Sequence, residues 1–556
     1  MSADPAGDPA QPSTAEVVGT VLARLGVGAA FGVVGSGNFH VTNALRAGGV
    51  RFVAARHEGG AATMADAHAR TTGRVAVLSV HQGPGLTNAL TGIAEAAKSR
   101  TPLLVLAADT AGSAVRSNFR IDQDAAVRAV GAVSERVHSA GSAVADVLRA
   151  YGTCVRQRRT VVLHLPLDVQ ARPCPPPAAL PPVAPWGAPR PGAASVAALA
   201  GLLDRARRPV FVAGRGARHA GPDLAALAAR TGALLATSAV ANGLFAGDRW
   251  DLGIAGGFAT PLAAELISGA DLVVAWGASL TMWTTRHGAL IGPDAVVVQV
   301  DDDPAAIGAN QPVALGVLGD VAAVARDVGA AVAGGPGQRT AALAERIATE
   351  GRWAARPLPD QAGPGGATDR IDPRVLSARL DALLPAERTV AVDSGNFMGY
   401  PSAYLAVPDV AGFCFTQGFQ SIGLGLATAI GAALARPDRL PVAALGDGGF
   451  LMGVAELETV VRLGVGMLVV VYDDAGYGAE FHHFADADHT TVRFPDTDLA
   501  AIAAGFGCAA ATVRTPADLD VVSEWLAGPR DRPLLLDAKV TADEPAWWLA
   551  EAFRGH

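Results

Sequence analysis

The chain is poor in cysteine, charge and aromatics. Its four cysteines, Cys154, Cys174, Cys414 and Cys508, lie far apart in 556 residues and form no CxxC pair. Such spacing offers neither a disulfide framework nor a cysteine-built zinc site, and it points to free buried thiols in a reducing cytoplasm. Charged residues make up only 17% of the chain, too few for a coiled coil or a charged disordered segment. The net charge of −8 is spread out, and no basic run exceeds Arg158-Arg159 or Arg207-Arg208. Nucleic acid is therefore not an expected partner. The longest apolar stretch, Phe419 to Ala435, is broken by glycines, so it reads as a buried helix and not as a membrane span. Met1 to Ser13 lacks the basic-then-apolar pattern of a secretory signal and is expected to be a mobile arm.

Glycine (65 residues) and apolar residues (half the chain) are abundant. That is the profile of an α/β protein with buried sheets, too long for a single core. Apolar strands alternate with helical stretches: Ala29 to Val34, Phe52 to Arg56, Val75 to Val80, Leu103 to Ala107 and Thr160 to Leu165 come first. Val210 to Ala213, Leu234 to Thr237, Leu272 to Trp276 and Val296 to Val300 follow. Thr389 to Val392, Gly412 to Phe415, Val442 to Leu445, Met467 to Tyr472 and Leu534 to Ala538 close the series. This pattern predicts three doubly wound parallel-sheet domains, at 14–171, 192–335 and 371–540. A Pro-rich linker (172–191) and a Gly/Pro-containing one (336–370) separate them. A tail (541–556) carrying Trp547 and Trp548 is expected to cover the site.

Function concentrates where Leu445-Gly446-Asp447-Gly448-Gly449 leaves one strand and Asp473-Asp474-Ala475-Gly476 leaves the next. A helix is expected between them, from Gly453 to Leu463. Strand, helix, strand makes a βαβ unit, so both acidic loops fall on one carboxyl edge. Asp447 and Asp474 then converge, and two carboxylates among glycines suit a hard divalent cation beside a phosphate.

These residues resemble the signature of thiamine-diphosphate (ThDP) enzymes. The resemblance implies that Asp447, Asp474 and the Gly476 carbonyl hold Mg²⁺, with Gly446, Gly448, Gly449 and Tyr477 around the diphosphate. Two departures stand out: Asp473-Asp474 replaces the usual Asn-Asn, and Gly449 stands where Ser is common. His57-Glu58-Gly59-Gly60-Ala61 is similar to the family's glutamate motif, and Gly83-Pro84-Gly85-Leu86-Thr87-Asn88 to its Gly-Pro-Gly-x-Thr-Asn loop. Gly395-Asn396 resembles a diphosphate-side pair, and Ile422 the bulky residue under the cofactor's bend. The domains then become pyrimidine-binding, central and diphosphate-binding. Glu58 is implied to bond the aminopyrimidine and favour its imino tautomer, which takes the thiazolium proton. The subgroup resembled is that of acetolactate synthase, benzoylformate decarboxylase and pyruvate decarboxylase.

Substrate residues follow less tightly. Ser36 and His81 match the serine and histidine of benzoylformate decarboxylase, and Glu480 a proton-handling Glu of pyruvate decarboxylase. His482 and His483 follow it as an acid–base group. The paired histidines of a true pyruvate decarboxylase are absent from Ala111 to Arg120. Acetolactate synthase's Phe-Gln reads Phe119-Arg120 here. The expected activity is decarboxylation of a 2-oxo acid, ending in an aldehyde or in addition to a second carbonyl. The alternatives are an acetolactate synthase-type transferase and, more remotely, a flavin or nicotinamide oxidoreductase. In the central domain Gly214-x-Gly216 meets His219 where a dinucleotide fingerprint needs glycine, which argues against NAD. FAD stays open with no residue demanding it. The resemblance implies a cytoplasmic dimer at least, and a tetramer by preference.

Overall fold

The computed structural model describes residues 11–180, 187–359 and 369–549. Most of the expected arm, the middle of the first linker, 360–368 of the second and the end of the tail lie outside the described residues. What is described of the arm is tied down: Ser13 bridges Pro173, and the Thr14 N–H donates to the Arg172 carbonyl.

Three six-stranded, all-parallel sheets form, one per predicted domain. The first runs in the order Phe52–Ala54, Ala30–Gly32, Ala76–Val80, Leu103–Asp109, Val161–Pro166, Val133–Arg136. The second runs Leu315–Leu318, Val296–Asp301, Leu272–Trp276, Pro209–Ala213, Leu234–Thr237, Asp251–Ile254. The third runs Phe413–Phe415, Arg388–Val392, Leu440–Gly446, Leu468–Asp473, Leu534–Lys539, Ala509–Val513. The central strands are buried and mostly apolar because helices cover both faces. Four strands escape the sequence pattern: Val133–Arg136, Leu315–Leu318, Asp251–Ile254 and Ala509–Val513. All four are sheet edges, and the first, second and fourth are largely half-exposed, so their apolar signal is diluted.

Each sheet reverses its winding at an interior point, leaving a crevice at the carboxyl edge where ligands bind in such folds, and the last crossover of the first and third sheets turns back again. In the first sheet it lies between Ala30–Gly32 and Ala76–Val80, in the third between Arg388–Val392 and Leu440–Gly446.

First and third domains share one core. Ala61, Met64, Ala65 and Ile93 pack with Leu426, Ile430, Leu457 and Val460. A buried ion cluster crosses the same boundary. Arg70 pairs with Asp66 (2.5 Å) and Glu95 (2.6 Å) and donates to the Phe415 carbonyl. Glu95 in turn accepts the N–H groups of Gly418 and Phe419. The loop leading to Ile422 is thereby anchored on the first domain.

The described tail is core and not cover. Trp548 is fully buried against Tyr400 and Phe258, and Trp547 stacks on Trp353 at 4.1 Å. No helix among the described residues is long and apolar enough to cross a membrane.

His68, on the helix Glu58–Thr72, gives the fold a pH dependence. It is 6% exposed with Nδ1 unpartnered, and burial, reinforced by Arg74 and Arg51, pushes its pKa down to about 4. Below the ordinary value of 6.5 the unfolded chain binds a proton that the folded one refuses. Stability is therefore lost as pH falls from 6.5 towards 4, by about 3 kcal/mol in total from this group. His68→Leu should flatten the fall in Tm across that window. An unchanged slope would remove His68 from the account.

Candidate active site

Glu58 opens the helix Glu58–Thr72, where a carboxylate meets the positive end of the helix. Asn88, one turn into the helix Pro84–Lys98, donates to its Oε2 at 3.0 Å. Gly85 brings the neighbouring backbone close: a Cβ there would sit 3.6 Å from Glu58 Oε1 and 3.1 Å from His81 Cβ. His81 and Ser36 come from the two loops of the first crevice, with Ser36 Oγ 3.4 Å from His81 Nε2. The other ring nitrogen, Nδ1, lies 2.9 Å from the Gln82 carbonyl. A carbonyl can only accept, so Nδ1 carries a proton, and in the neutral form of the ring Nε2 is the acceptor that faces Ser36. Gly83 faces inward, its N–H donated to Gln123. It shapes the loop and offers no donor to a ligand from that position.

The second group gathers at the third crevice. Asp447 is the first residue of the helix Asp447–Gly453, and Glu456–Arg462 is a separate helix. The expected single helix from Gly453 is thus replaced by one that starts at the acidic residue itself and breaks at Val454-Ala455. Burial, with the charges of Asp474 and Asp473 added, pushes the Asp447 acid up to about 8. Asp474 rises to about 7 from burial and Asp473, against a hydrogen bond from Asn396. Two buried acids repelling one another are a donor pair short of a cation. A divalent ion with a phosphate fits that charge balance. The Asn396 Oδ1 is likewise buried without a partner.

The third donor expected there is a backbone carbonyl. Among the described residues no three His, Cys, Asp or Glu side chains cluster as a metal site. Gly476 bridges Arg493 through its neighbours: Tyr477 N–H donates to Val492 and Phe494 N–H to Ala475. The Gly476 carbonyl itself stays out of that bridge. Tyr477 lies over Gly448, where a Cβ would be 2.6 Å from its ring, and packs edge-on against Phe494. A cleft of about 310 Å³ opens beside them, lined by Asp447, Gly448, Met452, Tyr477 and Phe494 among others.

Asp473, the first acid of the Asp473-Asp474 departure, turns away from this group. Its Oδ2 lies 2.6 Å from Lys539 Nζ and its Oδ1 accepts the Ala475 N–H. Asp473 is the last strand residue, in register with Lys539, and Asp474 lies beyond it in the loop, so the two acids have different partners.

Asp393, by contrast, is a site residue that the motifs do not mark. It is fully buried at the end of Arg388–Val392, and burial raises its pKa to about 6. Its carboxylate accepts the N–H groups of Ser394, Gly423 and Leu424 (2.9, 2.9 and 3.3 Å). That ties the Gly395-Asn396 turn (Gly395 at φ +143°) to the Ile422-Gly423 loop. A Cβ on Gly449 would stand 2.6 Å from Asp393 Oδ2, which explains glycine at a position where the resembled family often has serine. The one signal for Asp393 is its place at a strand end beside the crevice. Gln123 gives none, being on a helix after an irregular loop.

Ile422 is half-buried and belongs to no core cluster, so ordinary core packing does not account for it. Glu480 is exposed on the short helix Gly478–His483. His482 is half-buried with Nε2 unpartnered, its pKa lowered by burial and by Arg493. His483 packs edge-on against Phe484. No hydrogen bond or ion pair among the described residues joins Ser36, Glu58, His81 or Asn88 to Asp447, Asp474 or Asn396.

The central crevice does not fit a dinucleotide. Gly214 and Gly216 pack directly on Gly277, with N–H bonds to the Trp276 and Gly277 carbonyls, so the two loops close on each other. Asp302 and Asp303, at the next strand's end, are paired with Arg158 and Arg100 of the first domain. The acids that would meet a ribose serve as domain contacts.

Known proteins match along most of the length. Family models described as thiamine pyrophosphate enzyme N-terminal, central and C-terminal domains match residues 12–126, 196–328 and 393–538. Sulfoacetaldehyde acetyltransferase of Rhodobacter capsulatus is 31% identical over 494 residues, 84% of this chain and 83% of that one. A protein of Pseudomonas aeruginosa named "Probable 2-ketoarginine decarboxylase AruI" is 31% identical over 542 residues, 92% of this chain and 91% of that one. Among solved structures, the thiamine diphosphate-dependent 4-hydroxybenzoylformate decarboxylase of Rhodococcus jostii RHA1 superposes with a TM-score of 0.81 at 22% identity. It covers 96% of this chain and 100% of that one.

Proposed function

The chain belongs to the thiamine pyrophosphate enzyme family, and from that premise we propose a ThDP- and Mg²⁺-dependent lyase or carboligase acting on a 2-oxo acid. The reading is carried by the first-domain crevice, where Glu58, held by Asn88, adjoins a His81–Ser36 pair with an acceptor nitrogen. ThDP, when bound, supplies the carbon nucleophile and the electron sink for the carboxylate that leaves. The chain supplies the rest. Glu58 accepts Asn88 on Oε2, leaving Oε1 to exchange a proton with a ring nitrogen. Asp447, Asp474 and the Gly476 carbonyl would hold Mg²⁺ and through it the diphosphate, beside Asn396 and Tyr477. Ser36 and His81 would orient the acid and return a proton to the product.

Two copies complete the site in this reading. Val34, Phe39, Val115 and Phe119 are exposed around the first half-site, and Phe419, Leu451, Met452 and Phe494 around the second. Exposed apolar side chains beside two incomplete sites suit a contact with another chain. The same reading takes a dimer at least, in a reducing cytoplasm that would keep the four buried thiols free. The acetyltransferase relative favours a second outcome, transfer of the acyl unit to an acceptor in place of a proton.

The test is incubation of the Mg²⁺- and ThDP-loaded protein with a panel of 2-oxo acids, with and without aldehyde acceptors, followed by mass spectrometry. Carbon dioxide release from at least one acid is expected. His81→Ala should lower turnover by about 10²-fold or more with ThDP affinity kept. No release from any acid by loaded protein would refute the proposal.

A further inference from the structure

Lys539 is one of only two lysines in the chain, the other being Lys98, although Lys and Arg together number 44. It ends the strand Leu534–Lys539, in register with Asp473 of Leu468–Asp473. Its side chain is 3% exposed, with Nζ 2.6 Å from Asp473, 2.7 Å from Asp496 and 3.0 Å from Asp537. The Thr497 carbonyl lies 2.8 Å away. Four oxygens converging on one nitrogen suit a compact ammonium; the planar fork of an arginine would spread its donors away from that point. In a chain that otherwise uses arginine, the lysine here answers to geometry.

Asp473 has a second duty. Its Oδ1 accepts the Ala475 N–H at 2.9 Å, and Ala475 is a non-glycine residue at φ +56°. Such a backbone persists only where its surroundings enforce it. Asp474 and Gly476 flank that turn. Asp473 and Thr497 line the same cleft as Asp447 and Tyr477, so the lysine cluster stands directly behind the acidic loop.

We infer that Lys539 is a positioning residue for this loop: by holding Asp473 it sets the Ala475 turn, and through it the aim of Asp474 and the Gly476 carbonyl. The inference rests on reading Asp447, Asp474 and Gly476 as the Mg²⁺ donors. It also accounts for a carboxylate at 473, where the resembled family has an amide. Lysine at 539 and the acid at 473 form one unit.

Calorimetric titration of the apo-protein with ThDP in excess Mg²⁺ tests this, alongside Tm. Lys539→Met and Lys539→Arg should each weaken ThDP binding by about tenfold or more. Lys539→Arg keeps the charge, and so keeps the measurement possible if the methionine variant fails to fold. The double variant Lys539→Met/Asp473→Asn removes both charges yet retains an oxygen for the Ala475 N–H. It should bind within about threefold of the parent, a recovery that a purely structural lysine would not produce. Parent-like affinity in Lys539→Arg or in folded Lys539→Met, or a double variant as weak as the single one, overturns the inference. Parent-like affinity in Asp447→Asn would instead overturn the Mg²⁺ reading on which it rests.

Discussion

Replacing Glu58 by Gln is expected to lower turnover by about 10²–10⁴-fold while leaving the protein folded and able to take up ThDP. Gln has the shape of Glu and its amide oxygen can still accept the Asn88 N–H, a contact of 3.0 Å in the parent. The helix start keeps its cap, because that comes from His57 Nδ1 on the Gly59 N–H. What is lost is a group that takes up and returns a proton. Exchange of the cofactor's C2 proton, followed by NMR after quenching, should slow in proportion to turnover. Undiminished exchange in the variant would sink the role given to Glu58.

Asp447→Asn should act on binding. The amide keeps the size and removes one of two buried negative charges, so Mg²⁺-dependent ThDP affinity should fall by about 2–4 kcal/mol, roughly 30- to 1,000-fold. Stability should move the other way. In the apo-protein the folded acids at 447 and 474 hold protons up to about 8 and 7, whereas the unfolded ones release them near 3.8. Between those values the folded state binds more protons, so apo stability falls as pH rises, and the neutral amide removes part of that loss. The apo variant should melt no lower than the parent at pH 8. A lower Tm with parent-like ThDP affinity would make Asp447 structural.

Mixing the two inactive variants adds a test of the shared site. If a site takes Glu58 from one chain and Asp447 from another, hybrids contain one intact site and activity returns. Sites built within one chain would stay silent.

Much of the fold and of the candidate site is legible in the sequence. Asp447 and Asp474 sit at the ends of apolar strands separated by a crossover, and parallel pairing leaves such loops only one edge to occupy. Glu58 and Asn88 open and extend two helices that the motifs already mark. Edge strands are not legible, because partial exposure removes the apolar contrast that betrays a strand. Nor is the sharing of one core by the first and third domains. Each set of alanines and leucines would satisfy a helix pattern against any apolar partner.

The sequence by itself determined the three sheets, the acidic loops and the family they point to, since these depend on local periodicity and on residues close in the chain. Only the tertiary structure decided what the carboxylate next to Asp474 does. Asp473 and Asp474 are chemically alike and one residue apart, but the strand ends at Asp473, in register with Lys539, and Asp474 lies beyond it in the loop. Lys539, 66 residues away, takes the first and leaves the second to Asp447 and Asn396. The closed central crevice belongs to the same class of fact. Glycines 214, 216 and 277 permit either an open cradle or direct backbone packing, and the choice is made by loops that meet only when the chain has folded.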